Sequence, residues 1–144
     1  MLILNYDNHR IQLLNEKIQS FQIGNKHFLP VIHNNRNKST PETGFYELLY
    51  EGKIALFKKH IKIIRETASF SADAKQYLID SSTKYYLLKE HEYFQIKDRN
   101  DFLDLTADKK REMQQAIKTN HLNFKKEADH FLAYLAGYYD QITN

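Results

Sequence analysis

Apolar side chains recur at every second residue, in short bursts set between turn-forming residues, until near Asp98 the recurrence changes to every third or fourth. A period of two puts alternate side chains on one face of a strand, and a period between three and four puts them on one stripe of a helix. The switch therefore predicts an α+β fold with segregated elements. An antiparallel sheet or partly open β-barrel spans about residues 1–97, and three C-terminal helices follow over about 98–142.

Within the first part, Met1 to Tyr6 and Arg10 to Leu14 flank an Asp7-Asn8-His9 turn, and Ile18 to Ile23 meets His27 to Ile32 across Gly24-Asn25. Gly-Asn suits the positive φ angles of a tight hairpin, so two hairpins are expected. Residues 33–43 hold no apolar side chain besides Pro41 and read as an exposed, mobile loop. Phe45 to Tyr50 resumes a strand, and Glu51-Gly52 turns into Lys53 to Ile64, where two readings compete. Ile54, Phe57, Ile61, Ile64 and Ala68 fit a helical face, whereas Ala55, Phe57, Ile61 and Ile63 fit a strand face interrupted by Lys59. The preceding turn and the β-branched content favour the strand. A loop over residues 65–73, a short strand at Gln76 to Asp80, and a hairpin of Lys84 to Lys89 with Tyr93 to Lys97 around Glu90-His91-Glu92 complete this part.

Asp98, with Asp101 three residues on, is placed to cap the first helix, and Thr106 the second, whose Met113, Ala116 and Ile117 share a face. The third helix is expected to start near Asn123 and to carry Phe124, Ala128, Phe131, Leu132, Leu135, Tyr138 and Tyr139 as a wide apolar stripe. Such a stripe needs covering by the sheet or by the other helices. Tyr138-Tyr139-Asp140 then closes the last turn, rings inward and hydroxyls toward water.

At 144 residues the chain matches one domain, and 42% apolar with 27% charged residues is a globular composition. The formal charge of +3 does not by itself call for a nucleic acid. The absence of cysteine removes disulfides, thiolate metal sites and cysteine nucleophiles from consideration. No apolar run approaches the ~20 residues of a membrane helix, and no signal peptide precedes Leu2-Ile3-Leu4. Read literally the chain is cytoplasmic; a missing upstream segment would leave the same start.

Reactive groups are few. Glu127 and His130 have the Glu-x-x-His spacing of di-iron bundles, but such sites need a second copy of the motif and carboxylates from two further helices, so no metal and no cofactor is assigned. The seven histidines form no HExxH, the serines Ser39, Ser81 and Ser82 sit in turns or loops without a G-x-S-x-G elbow, and the four glycines form no phosphate loop. No catalytic residue is assigned. The binding candidate is the basic run Lys53, Lys58, Lys59, His60, Lys62 and Arg65, with aromatic strands Tyr85, Tyr86, Tyr93 and Phe94 elsewhere in the chain; basic strands beside exposed aromatics would make a stacking platform for a single-stranded nucleic acid. The competing account has the aromatics building a core while lysines solubilise the sheet, and the modest net charge favours it.

Three stretches carry a resemblance: Gly44-Phe45-Tyr46-Glu47-Leu48-Leu49-Tyr50-Glu51-Gly52-Lys53; Lys84-Tyr85-Tyr86-Leu87-Leu88 with Arg99-Asn100-Asp101-Phe102-Leu103; and Leu122-Asn123-Phe124-Lys125-Lys126 with Tyr138-Tyr139-Asp140. Together they resemble an uncharacterised family of small, usually secreted or envelope-associated proteins of Bacteroidota-type bacteria. The resemblance implies a β-rich segment with a strand-then-helix tail and a periplasmic or secreted location, and it brings no activity and no site residues. A chain rich in packing signals and poor in reactive groups reads as a non-enzymatic structural or protein-interaction module with a protein partner. A nucleic-acid or polyanion binder using the basic strand 53–65 is the alternative, and a small enzyme assembled from residues distant in sequence is the third.

Overall fold

The computed structural model of the chain describes residues 2–7, 9–13, 17–32, 41–67 and 76–144. Backbone pairing organises the first part as two antiparallel sheets. Strands β1 (Leu2–Tyr6) and β2 (His9–Leu13) form a two-stranded hairpin of their own. Strands β3 (Phe21–Ile23), β4 (Lys26–Val31), β5 (Gly44–Glu51), β6 (Ala55–Thr67), β7 (Gln76–Lys89) and β8 (Glu92–Ile96) form a six-stranded open meander in sequence order. Helices α1 (Arg99–Leu105), α2 (Lys110–Thr119) and α3 (Ala128–Ile142) follow, so the chain is α+β as its periodicity implies.

The hairpin at Gly24-Asn25 forms with Gly24 at φ +60°, the left-handed conformation that glycine adopts at no steric cost. The ambiguous segment after Gly52 is a strand that runs on to Thr67 and ladders with β7 without interruption from Ala55↔Leu88 to Thr67↔Gln76. The expected loop at 65–73 is thus corrected at its first three residues, which are strand; residues 68–73 lie outside those described. The two strands expected at 76–80 and 84–89 are one. Ser81, Ser82 and Thr83, poor in apolar side chains, stay in the ladder because their backbones pair with Lys62, Ile61 and His60. Residues 33–40 of the expected loop are likewise outside those described; of the rest, Glu42 and Thr43 are exposed but Pro41 is fully buried.

Asp98 caps α1 as its spacing implies, its side chain accepting from the amides of Asn100 and Asp101 while Asp101 reaches back to the Asp98 amide. Thr106 does not cap α2. It is fully buried at the end of α1, its Oγ1 donating to the Phe102 carbonyl at 2.9 Å, and a 3-10 turn over Ala107–Lys109 intervenes before α2. The last helix starts later than expected, at Ala128. Asn123 opens a single turn instead, its Oδ1 accepting from the Lys126 amide at 3.2 Å and its carbonyl from the Glu127 amide at 3.0 Å, and Glu127 at φ −143° and ψ 58° separates that turn from α3; the Phe124 ring still packs edge-on to Phe131, 5.6 Å between centroids.

Two apolar clusters lie on opposite faces of the large sheet. On one face Leu56, Tyr85, Leu87 and Ile96 meet Phe102, Leu103, Met113 and Ile117 of α1 and α2 and the stripe Phe131, Leu132, Leu135, Ala136 and Tyr139 of α3. On the other, Val31, Tyr46, Phe57 and Tyr86 form a smaller cluster with Leu29, Leu48 and Tyr93 beside it. Strand alternation explains the division, since Tyr85 and Tyr86 are neighbours in sequence and face opposite ways. The C-terminal end of α3 is fastened to the turn between β5 and β6. Asp140 Oδ2 accepts from the Lys53 amide at 2.7 Å and the Tyr50 hydroxyl at 2.9 Å, and Lys53 Nζ donates to the Thr143 carbonyl.

Candidate interaction surface

Pairing across the meander lines up Phe21, Phe28, Glu47, Lys58, Tyr85 and Ile96 in one row on the helix-bearing face. The first turn of α3 reaches the middle of that row. Asp129 accepts from Lys58 Nζ and from the Tyr85 hydroxyl, each at 2.6 Å. Next to it the buried Glu47 carboxylate meets His60 Nε2 at 2.5 Å and Lys26 Nζ at 3.5 Å. Phe21, Phe28 and Phe45 continue this face as an aromatic group, with Phe21 stacked on Phe28 at 4.8 Å. Each buried charge in the row has an opposite charge in contact, so the network ties α3 to the sheet and holds two strands in register.

Burial pushes the Asp129 carboxyl up, but the Lys58 ammonium and the Tyr85 hydroxyl outweigh it and hold the group below its ordinary value. Its contribution to stability is present above the ordinary carboxyl range and is lost as pH falls through the lowered folded value. Burial raises the Tyr85 hydroxyl to about 12, aided by Asp129, and burial with Glu42 nearby raises Tyr46 to about 12. For a raised group the sign reverses, with stability complete below the unfolded value of 10.0 and lost as pH climbs toward about 12. Urea midpoints on either side of pH 10 should therefore fall on the alkaline side, and Tyr46→Phe should flatten part of that fall; an alkaline profile unchanged by the substitution would contradict the assignment.

The basic run does not form a patch. Lys58, His60 and Lys62 alternate with Lys59, Ile61 and Ile63 along β6 and so point to opposite faces, and Lys53 lies in the turn. Lys58 is buried against Asp129, Lys59 is 3.4 Å from Glu42 with its ammonium over the Tyr46 ring, His60 is on Glu47, and Arg65 is 2.8 Å from Asp80. Lys62 is exposed. Tyr85 and Tyr86 are core residues, and Tyr93 and Phe94 are half-buried. Glu127 and His130 are exposed at the start of α3, and among the described residues no three histidine, aspartate or glutamate side chains converge as metal ligands. A groove of about 480 Å³ between α1 and α2 is lined by Arg99, Gln114, Ile117, Lys118, His121 and Leu122, with its polar residues at the solvent rim.

The most unusual surface is the far end of β6 and β7. Strand β5 stops pairing at Glu47↔Lys58 and β8 at Ile96↔Tyr85, yet β6 and β7 continue together from Lys59↔Lys84 to Thr67↔Gln76. This two-stranded ribbon continues roughly 25 Å beyond its last pairings with its neighbours. Ile63 is 49%, Ile64 67%, Tyr77 57%, Leu78 58% and Ile79 63% exposed, and among the described residues no strand pairs with either ribbon edge. The basic-run reading passed over these residues. Their signature was visible, because Ile63-Ile64 and Tyr77-Leu78-Ile79 are consecutive apolar residues, which in a strand place apolar groups on both faces.

No family model matches this chain, and no significant similarity to a curated protein or a solved structure was found. Among the described residues, no helix is long and apolar enough to cross a membrane.

Proposed function

We propose that this chain is a non-enzymatic protein-interaction module whose contact surface is the β6–β7 ribbon. The observation that carries the reading is the concentration of exposed Ile63, Ile64, Tyr77, Leu78 and Ile79 on a ribbon neither of whose edges pairs with another strand among the described residues. A bare two-stranded ribbon is marginal in water, and exposed strand edges with apolar side chains are templates for another strand. By contrast, the charged groups near the aromatic face are engaged with each other, and the only other large exposed apolar residues among those described, Ile23, Ile32 and Tyr134, are scattered. An envelope location is part of the proposal and rests only on the resemblance carried by Gly44 to Lys53, by Lys84 to Leu88 with Arg99 to Leu103, and by Leu122 to Lys126 with Tyr138 to Asp140.

A photo-crosslinking side chain placed at Leu78 in the full chain should give discrete protein adducts in cells, while one at the exposed Gln115 of α2 should not. Equal labelling at both positions, or a substrate turned over by the purified protein and lost on His60→Ala, would defeat the reading.

A further inference from the structure

We infer that the groove between α1 and α2 binds a small organic anion, a carboxylate or phosphate carried on an apolar body. The site is separate from the β6–β7 ribbon and does not depend on it. Where the two helices are joined, a basic residue of one meets an acid of the other, Lys110 Nζ lying 2.8 Å from Asp104. Their far ends are different. Arg99 at the start of α1 and Lys118 and His121 at the end of α2 line one groove of about 480 Å³, and no acidic residue is among its lining. Among the described residues none of these three side chains has a hydrogen-bond or ion-pair partner, whereas Lys58 is engaged by Asp129, Lys59 by Glu42 and Lys89 by the Leu105 carbonyl. Two cations and an imidazole gathered from two helices without an acid are an unfavourable arrangement that a bound anion relieves.

Helix physics does not account for the gathering. A cation at the end of a helix is favoured by the helix dipole, which explains Lys118, but Arg99 is a cation in the first turn of α1, where the dipole disfavours it. His121 also stands where glycine is easier. The Leu122 amide donates to the Ile117 carbonyl at 3.0 Å and the His121 amide to the Lys118 carbonyl at 3.3 Å, a pattern that closes α2 with a left-handed residue, and His121 is that residue at φ +52°. The chain thus carries an imidazole on the groove at a conformational cost. The planar guanidinium of Arg99 suits two oxygens of one acid group, Lys118 adds a point charge, and the His121 ring and Gln114 amide offer hydrogen bonds. Ile117 and Leu122, the apolar part of the lining, receive the body of the ligand, and the volume is that of a small-molecule site.

Amide chemical shifts of the isotope-labelled full chain, titrated with phenyl phosphate, test this. Phenyl phosphate should shift the amides of Arg99, Lys118, His121 and Leu122 saturably and leave those of Leu78 and Ile79 in place. Inorganic phosphate, which lacks the apolar body, and phenol, which lacks the charge, should each bind about ten-fold more weakly or not at all. Lys118→Gln should weaken phenyl phosphate by about ten-fold with an unchanged melting curve, the residue being exposed. His121→Gly separates binding from folding, since it should raise the melting temperature by relieving the left-handed histidine and yet weaken phenyl phosphate. Groove amides that do not move, inorganic phosphate or phenol binding as well as phenyl phosphate, or full affinity in both Lys118→Gln and His121→Gly would overturn the proposal. None of these outcomes bears on adducts formed from Leu78, so the ribbon and the groove stand or fall separately.

Discussion

Leu135→Asp should abolish cooperative folding. Leu135 is fully buried in the middle of α3 and belongs to the larger of the two clusters, with Leu56 and Leu87 of the sheet and residues of the other two helices. Truncating a buried leucine to alanine typically costs about 2–5 kcal/mol through lost burial and the cavity left behind. An aspartate adds an unpaired charge in the same place, and domains of this size have only about 5–15 kcal/mol in total. Circular dichroism should show lost tertiary signal or a transition at room temperature. Leu135→Met, which keeps the volume, should cost less than about 1.5 kcal/mol and serves as the control. A Leu135→Asp protein melting like the parent would mean that α3 does not cover the sheet.

Gly52→Ala should be nearly as damaging for a different reason. Its backbone is not in the left-handed region, so the glycine is there for space. A Cβ at this position would lie 1.8 Å from Asp140 Oδ2 and 2.8 Å from the Tyr50 hydroxyl. The carboxylate cannot simply swing aside, because it is held by the Lys53 amide and the Tyr50 hydroxyl and its residue is buried on α3. Expelling it breaks two part-buried hydrogen bonds to a charged group, a loss of about 2–4 kcal/mol. The diagnostic is the double variant. Gly52→Ala with Asp140→Ala should cost little more than Asp140→Ala alone, since the nearer clash is gone and the Tyr50 hydroxyl, no longer held by Asp140, is free to shift by the few tenths of an ångström it needs. Additive losses in urea denaturation would show that the methyl group collides with something else.

These two sites differ in how readable they were. Leu135 belongs to the repeat Phe131, Leu132, Leu135, Tyr139, and a period of that kind states in one segment which side must be covered. Gly52 and Asp140 carry no such mark, for the carboxylate is 87 residues from the amide it holds and looks like any residue of a polar terminus. The same reason separates what was legible in the basic run from what was not. Six cationic or imidazole side chains within thirteen positions look like one patch, but strand alternation sends them to two faces, and Asp129, Glu42, Glu47 and Asp80 arrive from four other places in the chain to pair with four of them. The helix start at Asn123 misled for a local reason: Asn123 does cap a turn, but the non-helical backbone of Glu127 cuts that turn off from α3.

By itself the order of residues determined that strands come first and helices last, where the Gly24 hairpin turns, how Asp98 opens the first helix and which face of α3 must be hidden, because each is decided by neighbours within a few positions. Only the tertiary structure decided that β1 and β2 stand as a separate sheet, that Thr106 is buried behind α1, that the lysines of β6 are engaged, and that β6 and β7 outrun their neighbours. Those outcomes depend on the register between segments distant in the chain, and a register is a sum over many pairs that no single stretch contains.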